Sequence, residues 1–183
     1  MINKEDKTSL LKLARDSIST YFSKKEIDSK KVKKFSEKQG VFVTLEKNGQ
    51  LRGCIGFPEP CLPLYEAIIE SARSAAFSDP RFMPVREQEL NEIEVEISVL
   101  TVPELINVKK PEEYLKKINI GKDGLIIRSS FGSGLLLPQV FTDYNCNAEQ
   151  ALQMLCQKAG LPLDAWKNLE NKIYKFQAEI FHE

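Results

Sequence analysis

The chain has 183 residues, 42% of them hydrophobic and 28% charged, the balance of an ordinary globular protein with one substantial core or two small subdomains. Its 26 basic residues offset 26 acidic ones, which argues against a global nucleic-acid footprint, because such proteins are normally strongly basic. No signal-peptide h-region opens the chain, no apolar run approaches the ~18 residues of a membrane span, and four cysteines without CxxC spacing exclude a disulfide scaffold, so a reduced cytoplasmic setting is expected.

Residues 7–22 predict an amphipathic helix, with Leu10, Leu11, Ala14, Ile18, Tyr21 and Phe22 at helical spacings. The lysines at 24, 25, 30, 31, 33, 34 and 38 follow, partly offset by Glu26, Asp28 and Glu37, with only Phe35 interleaved. That stretch reads as a solvated connection rather than a nucleic-acid patch. Residues 41–46 and 51–57 are β-rich and flank Asn48-Gly49, a hairpin turn. Pro63 suits the first turn of a helix running to Phe77, with Leu64, Ala67, Ile68, Ser71, Ala72 and Ala75 on its packed side. Prolines make residues 78–84 irregular, and a helical turn fits near 86–90.

Residues 91–100 are the clearest strand, since Ile93, Val95, Ile97 and Val99 alternate with Glu94, Glu96 and Ser98. Pro111 opens a short helix to Ile118. Gly121 and Gly124 flank the turn into a strand at 125–130, residues 131–134 turn the chain, and 135–141 form a further strand interrupted by Pro138. A helix over 148–159 is stopped by Gly160 and Pro162, and a last strand covers 173–181. Displaced by 84 residues, the order of elements repeats: 41–46 falls on 125–130, 51–57 on 135–141, and the helix ending at Phe77 on the one ending at Leu161. This predicts a single domain over 1–183 with internal repeats at 41–100 and 125–181 sharing a β-β-α-β plan. The expected fold is α+β, a barrel-like mixed sheet with helices outside and two subdomains with a cleft where the halves meet.

Chemistry concentrates in Leu51-Arg52-Gly53-Cys54-Ile55-Gly56. On an undistorted strand Leu51 and Ile55 face the core, while Arg52 and Cys54 share the other face, where a cation lowers a thiol pKa. Gly53 leaves the core side bare, and Gly56 lets the strand bend. Two readings stand: a reactive or ligand-facing cysteine, and a buried inert one. The single histidine, His182, is next to the C-terminus, so a Cys-His dyad requires the tail to fold back, and no metal site is expected. Glu94, Glu96 and Ser98 share a strand face. Beside the hexad strand, Glu96 would approach Arg52 for acid–base work, or the face is simply solvated. Asp79-Pro80-Arg81-Phe82 either fixes its own loop or clamps an anion or carboxylate.

Six ordered motifs resemble one family: the hexad; Asp79-Pro80-Arg81-Phe82; Glu96-Ile97-Ser98-Val99-Leu100-Thr101; Gly121-Lys122-Asp123-Gly124-Leu125; Gly134-Leu135-Leu136-Leu137-Pro138-Gln139-Val140; and Lys158-Ala159-Gly160-Leu161. It is the AMME-syndrome chromosomal-region protein family, called AmmeMemoRadiSam system protein A in prokaryotes. The resemblance runs from about Gly40 to the C-terminus. It implies an α+β fold with duplicated β-rich halves and a barrel-like sheet, with the hexad near the cleft between two subdomains. It also implies a pathway shared with Memo-like and radical-SAM proteins, without a settled reaction or cofactor. After Val140 the family usually continues with an acidic residue and a tryptophan, where this chain has Phe141-Thr142-Asp143-Tyr144-Asn145-Cys146-Asn147.

Three functional classes follow. In an enzyme, or a component of one, Cys54 acts as nucleophile or ligand, Arg52 holds an anionic group, and Glu96 or Asp79 handles protons. In a binding or adaptor module, the hexad with Gly53 and Gly56, the turn residues Asp79, Arg81 and Phe82, and Gln139 of the fifth motif contact a partner protein or a small ligand. A nucleic-acid binder using the lysine stretch fits a neutral chain least.

Overall fold

The computed structural model describes residues 2–23, 27 and 32–183, so the lysines at 24, 25, 30 and 31 lie outside the described residues. The fold is α+β, and the chain divides into two compact units, Met1–Leu100 with Glu179–Glu183, and Thr101–Ala178.

The first unit contains α1 (Lys4–Ser23), β1 (Gly40–Lys47), β2 (Gln50–Phe57), α2 (Leu64–Phe77), a 3-10 turn at Glu87–Glu89 and β3 (Ile93–Leu100). Asn48 and Gly49 have φ of 52° and 71°, the left-handed pair that a two-residue hairpin turn requires. β1 is central and antiparallel to both neighbours, giving the order β2-β1-β3. Its odd-numbered residues Val41, Val43 and Leu45 pair with Val99, Ile97 and Val95, and all are buried with α1 and α2. The packed face of α2 is alanine-rich: Ala67, Ala72, Ala75 and Ala76 are buried beside Leu64 and Ile68. Small side chains bring that helix unusually close to β2. A Cβ added at Gly53 would sit 2.2 Å from the carbonyl oxygen of Ala75.

The second unit contains β4 (Glu104–Leu105), a 3-10 turn at Pro111–Glu113, α3 (Tyr114–Lys117), β5 (Asp123–Ser129), β6 (Gly132–Leu136), α4 (Pro138–Asp143), α5 (Ala148–Lys158) and a 3-10 turn at Ala165–Lys167. A last strand, β7 (Lys172–His182), gives its residues through Ala178 to this unit and its end to the first. β5 pairs antiparallel with β6 and β7, so the local order β6-β5-β7 mirrors β2-β1-β3. Leu125, Ile127, Phe141, Leu152, Leu155, Trp166 and Ile173 form its core. Again a glycine meets the end of a helix: a Cβ on Gly132 would lie 2.2 Å from the carbonyl oxygen of Ala159.

One expectation fails in this unit. Residues 135–141 are not a strand, and 131–134 are not its turn. The hairpin turns at Ser130-Phe131, β6 ends at Leu136, and Pro138 opens α4. Proline has no N–H to give a ladder, and its fixed φ suits the first helical position, where that donor is unused. The displacement of 84 therefore breaks at the second strand: Gly53, opposite Leu45, has its counterpart in Gly132, opposite Ser129, rather than in Leu137.

Gly53→Ala or Gly132→Ala must push a helix off its sheet, and each should cost about 2–3 kcal/mol of unfolding free energy in urea titrations. Gly49→Ala, with open space around it but a positive φ, should cost only about 1 kcal/mol.

Candidate functional site

The hexad is not an undistorted strand. Leu45 pairs with Gly53, but Glu46 pairs with Leu51, which leaves Arg52 as the extra residue of a β-bulge. The bulge resets the alternation. Gly53 and Ile55 lie opposite the core residues Leu45 and Val43, whereas Leu51 lies opposite Glu46 and is 44% exposed instead of facing the core. Arg52 turns toward the 3-10 segment and grips Glu89, Nε to Oε1 at 3.1 Å and Nη2 to Oε2 at 3.2 Å. Lys47 reaches Glu89 at 3.3 Å and Glu92 at 2.9 Å, and the Arg86 N–H donates to Glu89 at 3.0 Å. Arg52 foremost, then that N–H and Lys47, hold the Glu89 carboxyl down at about 2. Arg52 is thus neither the activator of Cys54 nor the partner of Glu96.

Cys54 is held by the second motif instead. Its N–H donates to Asp79 Oδ2 at 2.9 Å, and its carbonyl accepts from Arg81 Nη2 at 3.1 Å. Arg81 also donates to Asp79 through Nε at 3.0 Å, Nη2 at 2.7 Å and its own N–H at 3.1 Å. β2 is the outer strand of its unit, and the Asp79–Arg81 pair satisfies its free backbone edge at one residue. Asp79 is only 4% exposed, and Arg81 together with the Cys54 N–H holds its carboxyl far below the usual carboxylate range. It stays ionised and cannot shuttle protons near neutrality. Phe82 lies with its ring centroid 5.5 Å from the Arg81 guanidinium.

The thiol faces away from the α2 side. Thr44, opposite Cys54, donates from Oγ1 to its Sγ at 3.3 Å. Burial pushes the thiol above its ordinary pKa, and neither the Thr44 hydroxyl nor the Arg81 charge overcomes that. Gly56 continues this face: a Cβ there would lie 2.1 Å from the Val41 carbonyl oxygen and 2.6 Å from the Phe42 ring, so the position requires glycine.

Across β1 the same face turns acidic. Thr44 also lies opposite Glu96, and Glu46 opposite Glu94. These three glutamates, with Val95 and His182, line a depression of about 300 Å³. The tail does fold back: the Glu183 N–H donates to the Val95 carbonyl, and the Glu183 carboxylate pairs with Arg15. His182 nevertheless lies three strands from Cys54, about 14 Å by strand spacing, so no dyad forms. Burial first, then Glu46, raises the Glu96 carboxyl, and His182 opposes the shift. Among the described residues no group of three or more His, Cys, Asp or Glu is placed to hold a metal. Gln139 is in the second unit, at the start of α4, with a buried Oε1 that has no partner. Tyr144 closes α4 and is exposed, while Phe141 is the buried aromatic there.

The sequence reading missed Glu89, Thr44 and Glu46. Alternation along 41–46 places Thr44 and Glu46 on the face of Cys54 and was a usable signal. Nothing local connects Glu89 with Arg52, because the link exists only through the bulge.

A family model, AMMECR1, matches residues 11–181. The chain belongs to the AMMECR1 family. Protein MJ0810 of Methanocaldococcus jannaschii is 50% identical over 186 residues, covering 100% of this chain and 92% of that one. A protein of Methanothermobacter thermautotrophicus is 54% identical over 149 residues, covering 81% of this chain and 78% of its own. Among solved structures, uncharacterized protein PH0010 from Pyrococcus horikoshii matches with a TM-score of 0.93 at 47% identity, covering 100% of this chain and 93% of that one. The AMMECR1 match agrees with the family resemblance, and the solved structure with the α+β fold. No helix among the described residues is long and apolar enough to cross a membrane.

Asp79→Asn should destabilise the protein by about 2–4 kcal/mol at neutral pH, since it weakens a buried, charge-assisted clamp. A depressed carboxyl contributes stability above its unfolded pKa and loses it as pH falls. The gap between parent and variant should therefore close below about pH 4 in paired thermal melts. Glu96 has the opposite sign, its folded carboxyl being raised. Glu96→Gln should lift Tm at neutral pH by about 1–3 °C, a gain that disappears in acid, where Glu96 itself is protonated.

Proposed function

We propose that this AMMECR1 protein is a cytoplasmic binding component, not a thiol catalyst, acting in a pathway with Memo-like and radical-SAM proteins. One observation carries the reading. The catalytic-looking residues of the hexad and of the second motif are already committed to each other. Asp79 and Arg81 hold the backbone of Cys54, Arg52 holds Glu89, and burial keeps the Cys54 thiol protonated. A nucleophilic cysteine needs its thiolate stabilised, and here the nearest cation is spent on a carboxylate. What this rigid framework offers is a fixed surface: the solvent-facing side of Arg81, the Phe82 ring and the segment that follows.

A second reading, acid–base chemistry, is favoured by one feature, the raised Glu96 carboxyl beside His182. It requires Glu96→Gln to abolish a turnover that the parent protein performs with its partners.

Two measurements test the binding reading. Cys54 alkylation by iodoacetamide should run no faster than that of a free peptide thiol at neutral pH and should accelerate only in alkali; a fast neutral reaction restores the nucleophile. Co-purification with the Memo-like and radical-SAM proteins from the same cell should survive Cys54→Ala. Failure to associate with either protein, in any nucleotide, reductant or salt condition, would sink the adaptor role.

A further inference from the structure

Segment 79–89 is anchored at three points, and between them it presents side chains that the architecture does not use. Asp79 is fixed on Cys54, the Val85 N–H donates to the Ala76 carbonyl at 2.8 Å with Val85 buried, and Glu89 is fixed on Arg52. Met83, between the first two anchors, is 77% exposed. Pro84 follows it, also exposed, and restricts the backbone on either side. Lys47, Arg52, Met83, Pro84, Arg86, Gln88 and Glu89 line a depression of about 370 Å³.

Cations predominate in the lining itself: Lys47, Arg52 and Arg86 face one lining carboxylate, Glu89, with the exposed Glu87 next to Arg86 in the chain. Lys47 has a second partner in Glu92 at the rim. Arg86 meets Glu89 through its backbone, its N–H donating to the carboxylate and its carbonyl accepting the Glu89 N–H, and among the described residues its guanidinium has no ion pair. In a chain of zero net charge, this local surplus stands beside a large, adaptable thioether.

The geometry points to a docking surface for an acidic peptide segment of a partner protein, one in which carboxylates flank a large apolar side chain. A carboxylate suits Arg86, because guanidinium accepts it in a planar two-bond fork. The apolar residue covers Met83, whose flexible side chain adapts to varied shapes. Pro84 and the anchors at 79 and 85 keep the surface ordered before binding, so little ordering entropy is lost. Charge complementarity selects this occupant over a basic segment, and the exposed Met83 selects it over a bare inorganic anion. The proposal rests on the binding reading above and adds the chemistry of the partner and its place on the fold.

The test is a display library of short random peptides selected against the whole chain, with winners made fluorescent and titrated by anisotropy. Selected peptides should pair two or more carboxylates with an adjacent large apolar residue and should weaken as salt is added. Arg86→Glu should weaken them at least tenfold, and Met83→Ser three- to tenfold. A charge-inverted peptide, lysines replacing its acids, should bind Arg86→Glu better than the parent protein. Both positions are exposed, so unchanged thermal melts will exclude misfolding. Winners without acidic residues, binding indifferent to both substitutions, or stronger binding of single-stranded oligonucleotide than of the acidic peptides would overturn the assignment. Co-purification with the pathway proteins that survives Arg86→Glu would retain the binding reading and remove this surface.

Discussion

The arrangement of the first unit depends on one buried carboxylate. Asp79 accepts the N–H of Cys54 at the free edge of β2, and Arg81 donates to the carbonyl of the same residue. An open strand edge is a hazard, because its unpaired donors and acceptors will pair with another chain. Here a side-chain pair supplies what another strand would. The same contact fixes the connection between α2 and β3, which is fastened again where Val85 meets Ala76 and where Glu89 meets Arg52. Two of the six motifs, well separated in the chain, are therefore halves of one structural device.

That device underlies the proposed binding role, because it commits the chemistry-bearing residues to one another. Each charge lowers the free energy of its partner's charged form, so Asp79 and Glu89 remain ionised and their arginines remain occupied. The thiol among them is different. Its nearest polar contacts are a hydroxyl and its own clamped backbone, and desolvation dominates its ionisation.

Much of the fold was legible because local rules agreed with the tertiary outcome. The alternation of Ile93, Val95, Ile97 and Val99, the Asn48-Gly49 turn, and the alanine face after Pro63 each act through period or backbone preference alone. The misreadings came from residues with two uses. Pro138 interrupts a strand pattern but equally opens a helix, and Leu135–Val140 is apolar enough for both. Strand alternation predicts Gly53 as a bare patch in a straight strand. It is instead the point where the Ala75 carbonyl presses on the sheet, and the adjacent bulge turns Arg52 away from Cys54. Bulges depend on a pairing partner's register, which a single strand's residues do not encode. The acidic depression was half visible, in Glu94 and Glu96. Its completion by Glu46 and His182 needed the order of strands.

The four cations Lys47, Arg52, Arg81 and Arg86 are not equivalent toward an incoming anion. Arg52, with a side chain 15% exposed, can bind an outside carboxylate only by loosening Glu89, itself 17% exposed. Leaving a buried or half-buried charge unpaired costs several kcal/mol, more than a new exposed ion pair returns. Arg81 faces the same obstacle through Asp79, although its outer face is open. Lys47 divides itself between Glu89 and Glu92. Of these four, and among the described residues, Arg86 alone can take a carboxylate without abandoning one. Recognition at this surface is therefore set by the arginine that the framework does not need, and the arginines that make the motif memorable serve to keep that surface in place.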